Sequence, residues 1–451
     1  MNFMNTLRIG NGCGFWGDNL DAPIFLARDG DLDYLTLEYL AELTMSILAL
    51  QKQKDPTAGY AGDFLDVLER LAPLWHDLPR LRIVTNAGGM NARGCALRAK
   101  EILQRNNLAK AIAIVEGDDL LPRLDQLLEQ GEAFTNLDSG RALSDIRDRI
   151  VSANAYLGAE PIAAALGKGA DLVITGRVAD ASLTVGPAMH HFGWAWDDWR
   201  RLGFATVAGH LIECGAQATG GLWCNWQDID NLANVGYPIV ELSAAGPFVI
   251  TKPDGTGGAV NRQTISEQLL YEVGDPARYL TPDVVADFTR VQLEDAGVNR
   301  VNISAADGTA ATPTYKVSLA YRDGYQASGT LAIAGPGADA KAMLAGQIIV
   351  DRLARIGIEP QRRLIERLGT GDVTPGIPPR GEPPEVILRV GVGDQRRHVV
   401  ERFTKEFAPL VTSGPPGVTG YTTGRPPVRE VFAYWPTLVS KSRVPWRVEI
   451  M

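Results

Sequence analysis

Two acidic residues that directly follow an apolar run are the first candidates for catalysis in this chain. Asp118 and Asp119 come after the run Ala111–Glu116 and Gly117. A carboxyl group at such a place can act as a general acid or base with a shifted pKa, or it can bind a hard cation. Asp119 also precedes a helical pattern, where an N-cap role is favoured. We therefore assign proton transfer to Asp118. No cofactor is predicted, and a divalent metal ion at the two carboxylates is the open alternative.

A second candidate segment is Gly209–Trp226, GHLIECGAQATGGLWCNW. In it, Glu213 would move a proton, or Cys214 would act as a nucleophile. Three further candidates would hold an oxyanion or the substrate, namely Gln217, Thr219 and Gly220. The alternative is a buried cysteine followed by a glycine-rich helix stop.

Polar and small residues that follow other apolar runs are candidates for substrate binding. They lie at the end of, or directly after, the runs Leu7–Gly10, Leu81–Asn86 and Asp171–Gly176. These candidates are Asn11, Asn86, Gly88, Gly89, Arg177 and Asp180. Arg177 would either bind a carboxylate or phosphate through two nitrogens or pair with Asp180.

A glycine-rich cationic segment, Lys252–Arg262 (KPDGTGGAVNR), follows later in the chain. As a mobile loop it would place Lys252 and Arg262 over an anionic substrate, such as a carboxylate or the phosphates of a CoA thioester. A plain hairpin turn is the alternative.

Alternating strand and helix patterns predict an α/β domain over residues 1–230, with a mostly parallel sheet and flanking helices. The carboxyl ends of parallel strands meet at one edge, so the candidates that follow them converge there. Helix candidates have apolar residues at helical spacing and cover Thr36–Gln53, Ala61–Trp75, Gly94–Asn106, Leu120–Gln130, Pro161–Gly167 and Ala205–Cys214. The first of these helices would place Glu38 and Glu42 one turn apart on a solvated face.

The pattern changes after residue 230. Residues 231–370 combine strand-like stretches with one long helix candidate, Ala338–Ile356, which predicts a smaller α+β domain. Residues 371–451 begin with a stretch, Gly371–Pro384, that holds five prolines and three glycines. This third part is interpreted as a tether and a C-terminal segment that packs back on the core.

Composition excludes several classes of function. The 451 residues carry a formal net charge of −9, which opposes binding to nucleic acid or to an anionic membrane surface. Every apolar run is shorter than the ~20 residues of a membrane helix, and the first ten residues lack a signal-peptide core, so we expect a cytoplasmic protein. The four cysteines form no CxxC pair, which argues against a thiolate zinc site.

Seven ordered motifs together resemble one known family. They are GNGCGFWGD (Gly10–Asp18), DYLTLEYLAELTM (Asp33–Met45), VTNAGGMN (Val84–Asn91), GDD (Gly117–Asp119), ITGRVADASL (Ile174–Leu183), HLIECGAQATGG (His210–Gly221) and TSGPPGVTGY (Thr412–Tyr421). The chain is similar to the acyclic terpene utilisation family of AtuA type. The resemblance implies a role in the catabolism of branched acyclic terpenoids, whose intermediates are CoA thioesters. It names a pathway and carries over no catalytic residue.

Many members of that family continue into a small ferredoxin-like domain that opens with an ARSGDKGD-like motif, and this sequence contains no such motif. The resemblance therefore implies that this small unit is either absent or supplied as a separate subunit. We expect a partner of that kind, and also a homo-oligomer. The predicted function is a hydratase, dehydratase or related lyase acting on a branched or unsaturated carboxylic acid or its CoA thioester. The alternatives are a hydrolase or acyl-transfer enzyme that uses Cys214, and a non-catalytic substrate-binding subunit.

Overall fold

The computed structural model describes residues 6–374, 376–377, 381–420 and 424–451. The chain divides into two compact units: unit 1 comprises Met1–Ala320 and Tyr434–Met451, and unit 2 comprises Tyr321–Ala433. The strands among the described residues are β1 Thr6–Asn11, β2 Tyr34–Leu37, β3 Arg82–Thr85, β4 Ile112–Glu116, β5 Ile150–Ala155, β6 Leu172–Thr175, β7 Ile239–Ser243, β8 Phe248–Thr251, β9 Tyr279–Leu280, β10 Val285–Asp287, β11 Gln292–Asp295, β12 Val301–Ser304, β13 Asp307–Thr309, β14 Thr314–Ala334, β15 Arg362–Leu368, β16 Glu385–Asp394, β17 Val418–Thr419, β18 Arg429–Ser440 and β19 Arg447–Ile450. The α-helices are α1 Ala22–Asp29, α2 Glu42–Lys54, α3 Asp63–Trp75, α4 Ala92–Arg105, α5 Leu124–Glu129, α6 Glu160–Gly167, α7 Ser182–Phe192, α8 Trp199–Glu213, α9 Arg262–Leu270, α10 Ala338–Ala354, α11 Arg397–Phe403 and α12 Leu410–Ser413.

The main sheet of unit 1 has ten strands in the order β11-β12-β8-β7-β1-β2-β3-β6-β4-β19. Its centre, β1-β2-β3-β6-β4, is parallel. Strands β2 and β6 are buried along their whole length, because helices cover both faces of a parallel sheet. This explains why β3, β4 and β6 can be recognised in the sequence as short, continuous apolar runs.

The α/β class is confirmed, and the five strands that residues 1–230 contribute to this sheet are parallel, as predicted. The complete sheet is mixed, because strands from later in the chain extend it. Four of its neighbouring pairs are parallel, and five are antiparallel: β1–β7, β7–β8, β8–β12, β12–β11 and β4–β19. The predicted domain boundary at residue 230 falls inside this unit, since β7 pairs with β1. The two compact units thus divide the chain differently from the ranges 1–230, 231–370 and 371–451.

The predicted helix Thr36–Gln53 is wrong at its start. Tyr34–Leu37 forms β2, and helix α2 begins only at Glu42. All four residues of β2 are buried, as expected for a strand that is covered on both faces. A short apolar run of this kind also fits the start of a buried helix, so the spacing of apolar residues could not distinguish strand from helix here. Glu38 therefore lies at the carboxyl end of a central strand, and the expectation that it is solvated on a helix face is also wrong.

Helices pack on unit 1 through apolar residues at helical spacing. In α3, Phe64, Val67, Leu68, Leu71 and Trp75 are buried in the core. Helix α8 is buried continuously over residues 202–212. Such a helix brings its few polar side chains into the interior, and its last turn carries His210 and Glu213 to the carboxyl edge of the sheet.

Unit 2 contains the sheet β15-β16-β14-β17, in which antiparallel pairing joins each strand to its neighbour. Helices α10 and α11 pack on one face through a core that includes Leu331, Ile349, Leu388, Val390 and Phe403. The long strand β14 begins in unit 1 and ends in unit 2. Parts of the predicted tether and of the TSGPPGVTGY motif lie outside the described residues.

The segment Tyr434–Met451 belongs to unit 1, where β19 pairs with β4 and forms the edge of the sheet. Among the described residues, no helix combines the length and the apolar character that crossing a lipid bilayer requires.

Candidate active site

The carboxyl ends of the parallel strands bring together buried polar side chains from distant parts of the chain. We call Glu38, Asn86, Arg177 and Asp180 the strand-end cluster. Asn86 follows β3, Glu38 follows β2 and Arg177 follows β6 by two residues. Glu38, Asn86 and Arg177 are all buried, while the Asp180 side chain is 36% exposed. The predicted convergence of Asn86, Arg177 and Asp180 is therefore observed.

Asn11 joins the end of β1 to neighbouring segments at this edge through its side-chain amide. Its Nδ2 donates to the carbonyl oxygens of Cys13 (3.0 Å), Ile212 (2.7 Å) and Glu213 (2.9 Å). Its Oδ1 accepts the hydroxyl of Thr36 at 2.9 Å. Because these bonds occupy both ends of the buried amide, Asn11 fixes the end of α8 against β1.

Glu38 and Asn86 hold each other in the strand-end cluster. Asn86 Nδ2 donates to Glu38 Oε1 at 2.6 Å, and the Leu40 N–H donates to the same oxygen at 2.8 Å. Asn86 Oδ1 accepts the N–H of Tyr39 at 2.8 Å. Burial, and further the charge of Asp180, raise the pKa of Glu38 well above its usual value, although Arg177 opposes this shift. Glu38 is thus a buried carboxyl that resists ionisation.

Arg177 connects the cluster to the rest of the edge. Its Nη1 donates to Asp180 Oδ1 at 2.7 Å and to the Leu40 carbonyl at 3.1 Å, and it lies 3.8 Å from Glu38 Oε1. The guanidinium stacks over the ring of Tyr156, 4.2 Å from its centroid. Of the two roles expected for Arg177, the structure shows the pairing with Asp180.

Glu213 forms a buried dyad with His210. His210 Nδ1 lies 3.2 Å from Glu213 Oε1, and His210 Nε2 lies 3.0 Å from the Gln268 carbonyl oxygen. Since that carbonyl can only accept, Nε2 carries a hydrogen, and the Nδ1–Oε1 contact holds one further proton. Burial raises the pKa of Glu213 to about 7, against the hydrogen bond from His210. The dyad can therefore take up or release a proton near neutral pH.

Cys214, the next residue, lies in a less reactive environment. Burial and the neighbouring charge of Glu213 raise the pKa of its thiol to about 12. The thiolate is the nucleophilic form, so this environment opposes nucleophilic catalysis. Among the described residues, the hydrogen bonds of His210 go to Glu213 and Gln268 and none goes to Cys214.

Asp118 lies beyond β4 and contacts the backbone that follows β6. Its Oδ2 accepts the Arg177 N–H (2.9 Å) and Asn154 Nδ2 (2.9 Å). Burial raises the pKa of Asp118 to about 7, although both hydrogen bonds favour the ionised form. Asp119 Oδ1 accepts the N–H of Leu121 at 3.1 Å, which is a turn contact, because the short helical turn Leu121–Arg123 has Leu120 as its N-cap residue. The N-cap role predicted for Asp119 is therefore wrong.

Both aspartates line a cavity of about 530 Å³, which we call the β4 pocket. Four of its lining side chains are cationic, namely Lys52, Arg93, Arg123 and Arg447. Residues 89–93, where helix α4 begins, form another part of the wall. The N–H groups of a helix N-terminus attract anions, so the wall and the cations favour a negatively charged ligand.

Several buried polar atoms at the strand ends have no hydrogen-bond partner in the described part of the chain. They include Glu38 Oε2, Tyr39 OH, Asn154 Oδ1, Arg177 Nε and Glu213 Oε2. Buried polar atoms in folded proteins are almost always satisfied, by protein, by water or by a ligand. Their presence at this edge makes it the candidate site for a ligand or bound water.

A family model described as acyclic terpene utilisation family protein AtuA matches residues 7–450. The chain belongs to this family. No curated protein and no solved structure matches it. Family membership places this AtuA chain in acyclic terpene utilisation and leaves its reaction to be inferred from the site.

Gly88 and Gly89, predicted to bind substrate, are required by close packing in this AtuA chain. A Cβ at Gly88 would lie 2.5 Å from the Thr175 carbonyl oxygen. Gly89 has a φ of +49°, and a Cβ there would lie 2.4 Å from Leu48 Cδ1. Gly89 also lines the β4 pocket, so its small size shapes the wall.

We predict that Gly88→Ala destabilises the protein by about 1–3 kcal/mol, because the loop after β3 must move away from β6. Gly62→Ala is the matched control, since a Cβ at Gly62 meets no atom within 4 Å. It should change stability by less than about 1 kcal/mol. Urea denaturation of both variants measures the difference, and equal stabilities would contradict the packing argument.

The remaining predicted binding residues are not linked to the strand-end cluster by any hydrogen bond or ion pair among the described residues. Thr219 donates to the Ala216 carbonyl at 3.0 Å, and the N–H groups of Gly220 and Gly221 donate to main-chain carbonyls. Those two amides are therefore not available to an oxyanion, contrary to expectation. Gln217 is half-buried beside them.

The expected cationic loop is also different. Lys252 is buried and donates to the Thr256 carbonyl at 2.7 Å, so it does not face a substrate. Arg262 is exposed at the start of α9, where its N–H donates to Asp295. The prediction of a mobile cover that carries both charges is wrong for Lys252.

In the ranges that the structure describes, no three histidine, cysteine, aspartate or glutamate side chains are grouped as ligands for a metal ion. Asp118 and Asp119 supply two carboxylates, whose observed hydrogen bonds go to main-chain and amide donors. The divalent ion stays a prediction.

Sequence reasoning missed several residues of the site. Glu38, like Asp118, is an acidic residue close after a buried strand. It was not recognised as a site residue because the sequence pattern there was interpreted as a helix. Asn154 and Tyr156 come from β5 and its end, which the patterns did not identify. The cation Lys52 lies near the end of α2, and no local signal connects it to a pocket at β4.

Proposed function

We propose that this AtuA chain is an enzyme that transfers a proton to or from a branched or unsaturated carboxylic acid or its CoA thioester. The reaction class is hydration, dehydration or a related lyase step in acyclic terpene utilisation. One observation carries the proposal: a buried carboxyl, Asp118, with a pKa of about 7, lines a cavity that four cationic side chains also border. An acid or base of this pKa operates efficiently at neutral pH.

The lining of the β4 pocket supports an anionic substrate. Arg93 pairs with Glu449 through both terminal nitrogens and lies 3.8 Å from Glu116, so its charge is largely offset. Lys52 donates to the Met90 carbonyl at 2.5 Å, and no ion pair among the described residues includes it. An anion would gain from Lys52 and from the N–H groups at the start of α4. The carboxylate or thioester phosphates of the substrate supply such a charge.

In the direction of hydration, ionised Asp118 would remove a proton from a water molecule while the water oxygen bonds to the β-carbon of the substrate. The electron pair of the double bond moves towards the carboxyl or thioester carbonyl, and the α-carbon then takes up the proton that Asp118 accepted, which returns Asp118 to its ionised form. Dehydration reverses these steps, with protonated Asp118 as the acid. The bonds from Arg177 N–H and Asn154 hold the carboxyl in place during both.

The Cys214-dependent alternative receives no support from the thiol, whose pKa is about 12. We predict that Cys214→Ala retains activity within about threefold of wild type. The pKa of the thiol lies several units above pH 7, so almost none of it is in the nucleophilic thiolate form. Steady-state kinetics of the variant measure this. A loss of more than a thousandfold would favour a cysteine nucleophile instead.

The test of the proposal is mass spectrometry of products after incubation of the full chain with unsaturated and hydroxylated terpenoid acids and their CoA thioesters. A gain or loss of 18 Da, one water, without release of free CoA, is the expected result. Release of free CoA would indicate a hydrolase. Saturable binding of a compound in the panel without any mass change would indicate the substrate-binding subunit.

A further inference from the structure

Unit 2 carries a groove of about 540 Å³ that the proposed reaction does not use. Among the described residues that line it are four arginines and no acidic residue: Arg362, Arg363, Arg389 and Arg429. The other lining residues are Gln326, Ala327, Ser328, Leu364, Gly391, Val392, Gly393, Pro427 and Val431. All of them belong to unit 2.

Strand register explains how the groove forms. Gly393 lies between Arg362 of β15 and Gln326 of β14, and Gly391 lies between Leu364 and Ser328. Directly paired residues share a face of the sheet. The two glycines therefore form a floor without side chains, bordered by longer side chains from the neighbouring strands. The opposite face is the one that α10 and α11 cover.

The arginines retain donors for a ligand. Arg362 uses Nη2 to reach the carbonyl (3.2 Å) and carboxylate (3.1 Å) of Asp323, and Arg389 uses Nε and Nη2 to reach Glu366. A guanidinium has five N–H donors, so each keeps at least one nitrogen for another acceptor. Arg429 is exposed, and none of the ion pairs among the described residues includes it.

We propose that this groove binds a phosphorylated small molecule with at least two anionic groups. Guanidinium groups from three strands, β15, β16 and β18, border one cavity, and a fork of N–H donors matches phosphate oxygens. Its volume is in the range of small-molecule sites and exceeds what a single phosphate fills. The net charge of −9 opposes a long polyanion such as nucleic acid. This proposal is independent of the reaction in unit 1.

Isothermal titration calorimetry of the full chain with ADP and with inorganic diphosphate tests the proposal. We expect saturable binding of at least one probe. Arg429→Gln should weaken it about tenfold, since one charge-assisted contact is lost. Arg355→Gln is the control, because Arg355 is an exposed arginine of unit 2 that follows α10 and does not line the groove; its effect should stay within about twofold.

Gly391→Val fills the groove without a change of charge. A Cβ at Gly391 has its nearest atoms at 3.8 Å, and valine suits a strand, so the variant should fold and bind at least tenfold more weakly. Circular dichroism and thermal unfolding check the fold, and Arg362→Gln provides a second test if this variant does not fold. The proposal is overturned if neither probe binds saturably, if Arg355→Gln weakens binding as much as Arg429→Gln, or if the phosphate-free dianion glutarate binds as tightly as ADP.

Discussion

Replacing Asp118 by asparagine should lower kcat/KM for the water-addition reaction by about 10²–10⁴-fold, the usual contribution of a general acid or base. Asparagine has the shape of aspartate, and its amide oxygen can still accept from the Arg177 N–H and Asn154 Nδ2, which both bond to one carboxyl oxygen. The loss therefore isolates proton transfer from positioning. Steady-state kinetics on the substrate found by mass spectrometry provide the measurement.

The pH profile gives the same prediction a second readout. With Asp118 as the base, kcat/KM for hydration should rise about tenfold per pH unit below the pKa of about 7 and level off above it, and Asp118→Asn should lack this rise. Asp125→Asn is the control, since Asp125 pairs with Arg147 at the surface and is 80% exposed. If Asp118→Asn kept full activity and the same profile, Asp118 would not be the proton carrier.

Stability provides an internal check on the raised pKa. Burial raises the pKa of Asp118 from 3.8 to about 7, so between these values the folded state binds more protons than the unfolded state. The contribution of this group to stability is fully present below about pH 4 and is lost as the pH rises to about 7. Asp118→Asn removes this decline, and the variant should gain stability relative to wild type between pH 5 and pH 8 in urea denaturation.

Arg177→Met should have the largest effect on stability, a loss of about 3–5 kcal/mol in the free energy of unfolding. The substitution removes the buried guanidinium and leaves the Asp180 carboxylate of the strand-end cluster without its partner. Arg177 is 2% exposed and contacts Asp180 at 2.7 Å and Glu38 at 3.8 Å. Methionine has a similar length, so the loss reports mainly on charge and hydrogen bonds. Equilibrium unfolding in urea at pH 8 measures it.

Two further variants make this result interpretable. Arg80→Met removes an exposed ion pair with Asp31 and should cost less than about 1 kcal/mol. Asp180→Asn combined with Arg177→Met should recover part of the loss, since the double variant also removes the carboxylate that pairs with Arg177 at 2.7 Å. If Arg177→Met unfolds at the same urea concentration as Arg80→Met, the buried cation does not stabilise this edge.

The central strands could be predicted from the sequence, because each is covered on both faces and reads as an apolar run. The polar residues that follow β1, β3, β4 and β6 were assigned to the site by the rule that parallel strands end at one edge. The structure does bring Asn86, Arg177 and Asp118 to the carboxyl edge of the sheet. The rule does not distinguish the roles of these residues, because the same types of side chain serve to hold the structure in place and to carry out catalysis.

The remainder of the site depends on contacts that local patterns do not encode. Tyr156 Oη donates to Glu42 at 2.6 Å, and Lys316 lies 3.2 Å from the same carboxylate although 274 residues separate the two in sequence. Likewise, Lys252 was expected to be mobile because glycines follow it, but burial and the Thr256 carbonyl determine its position. Long-range pairing of this kind also adds β7 and β19 to the predicted parallel strands, so the complete sheet is mixed.

The return of the chain to unit 1 after unit 2 has a consequence for synthesis on the ribosome. Strand β19 pairs with β4, and Pro445 and Arg447 complete the wall of the β4 pocket. The ribosome must make all of unit 2, at roughly 5–20 residues per second, before this strand emerges. Until then the edge of β4 is unpaired and the pocket lacks one side, so the nascent chain acquires this wall only late in translation.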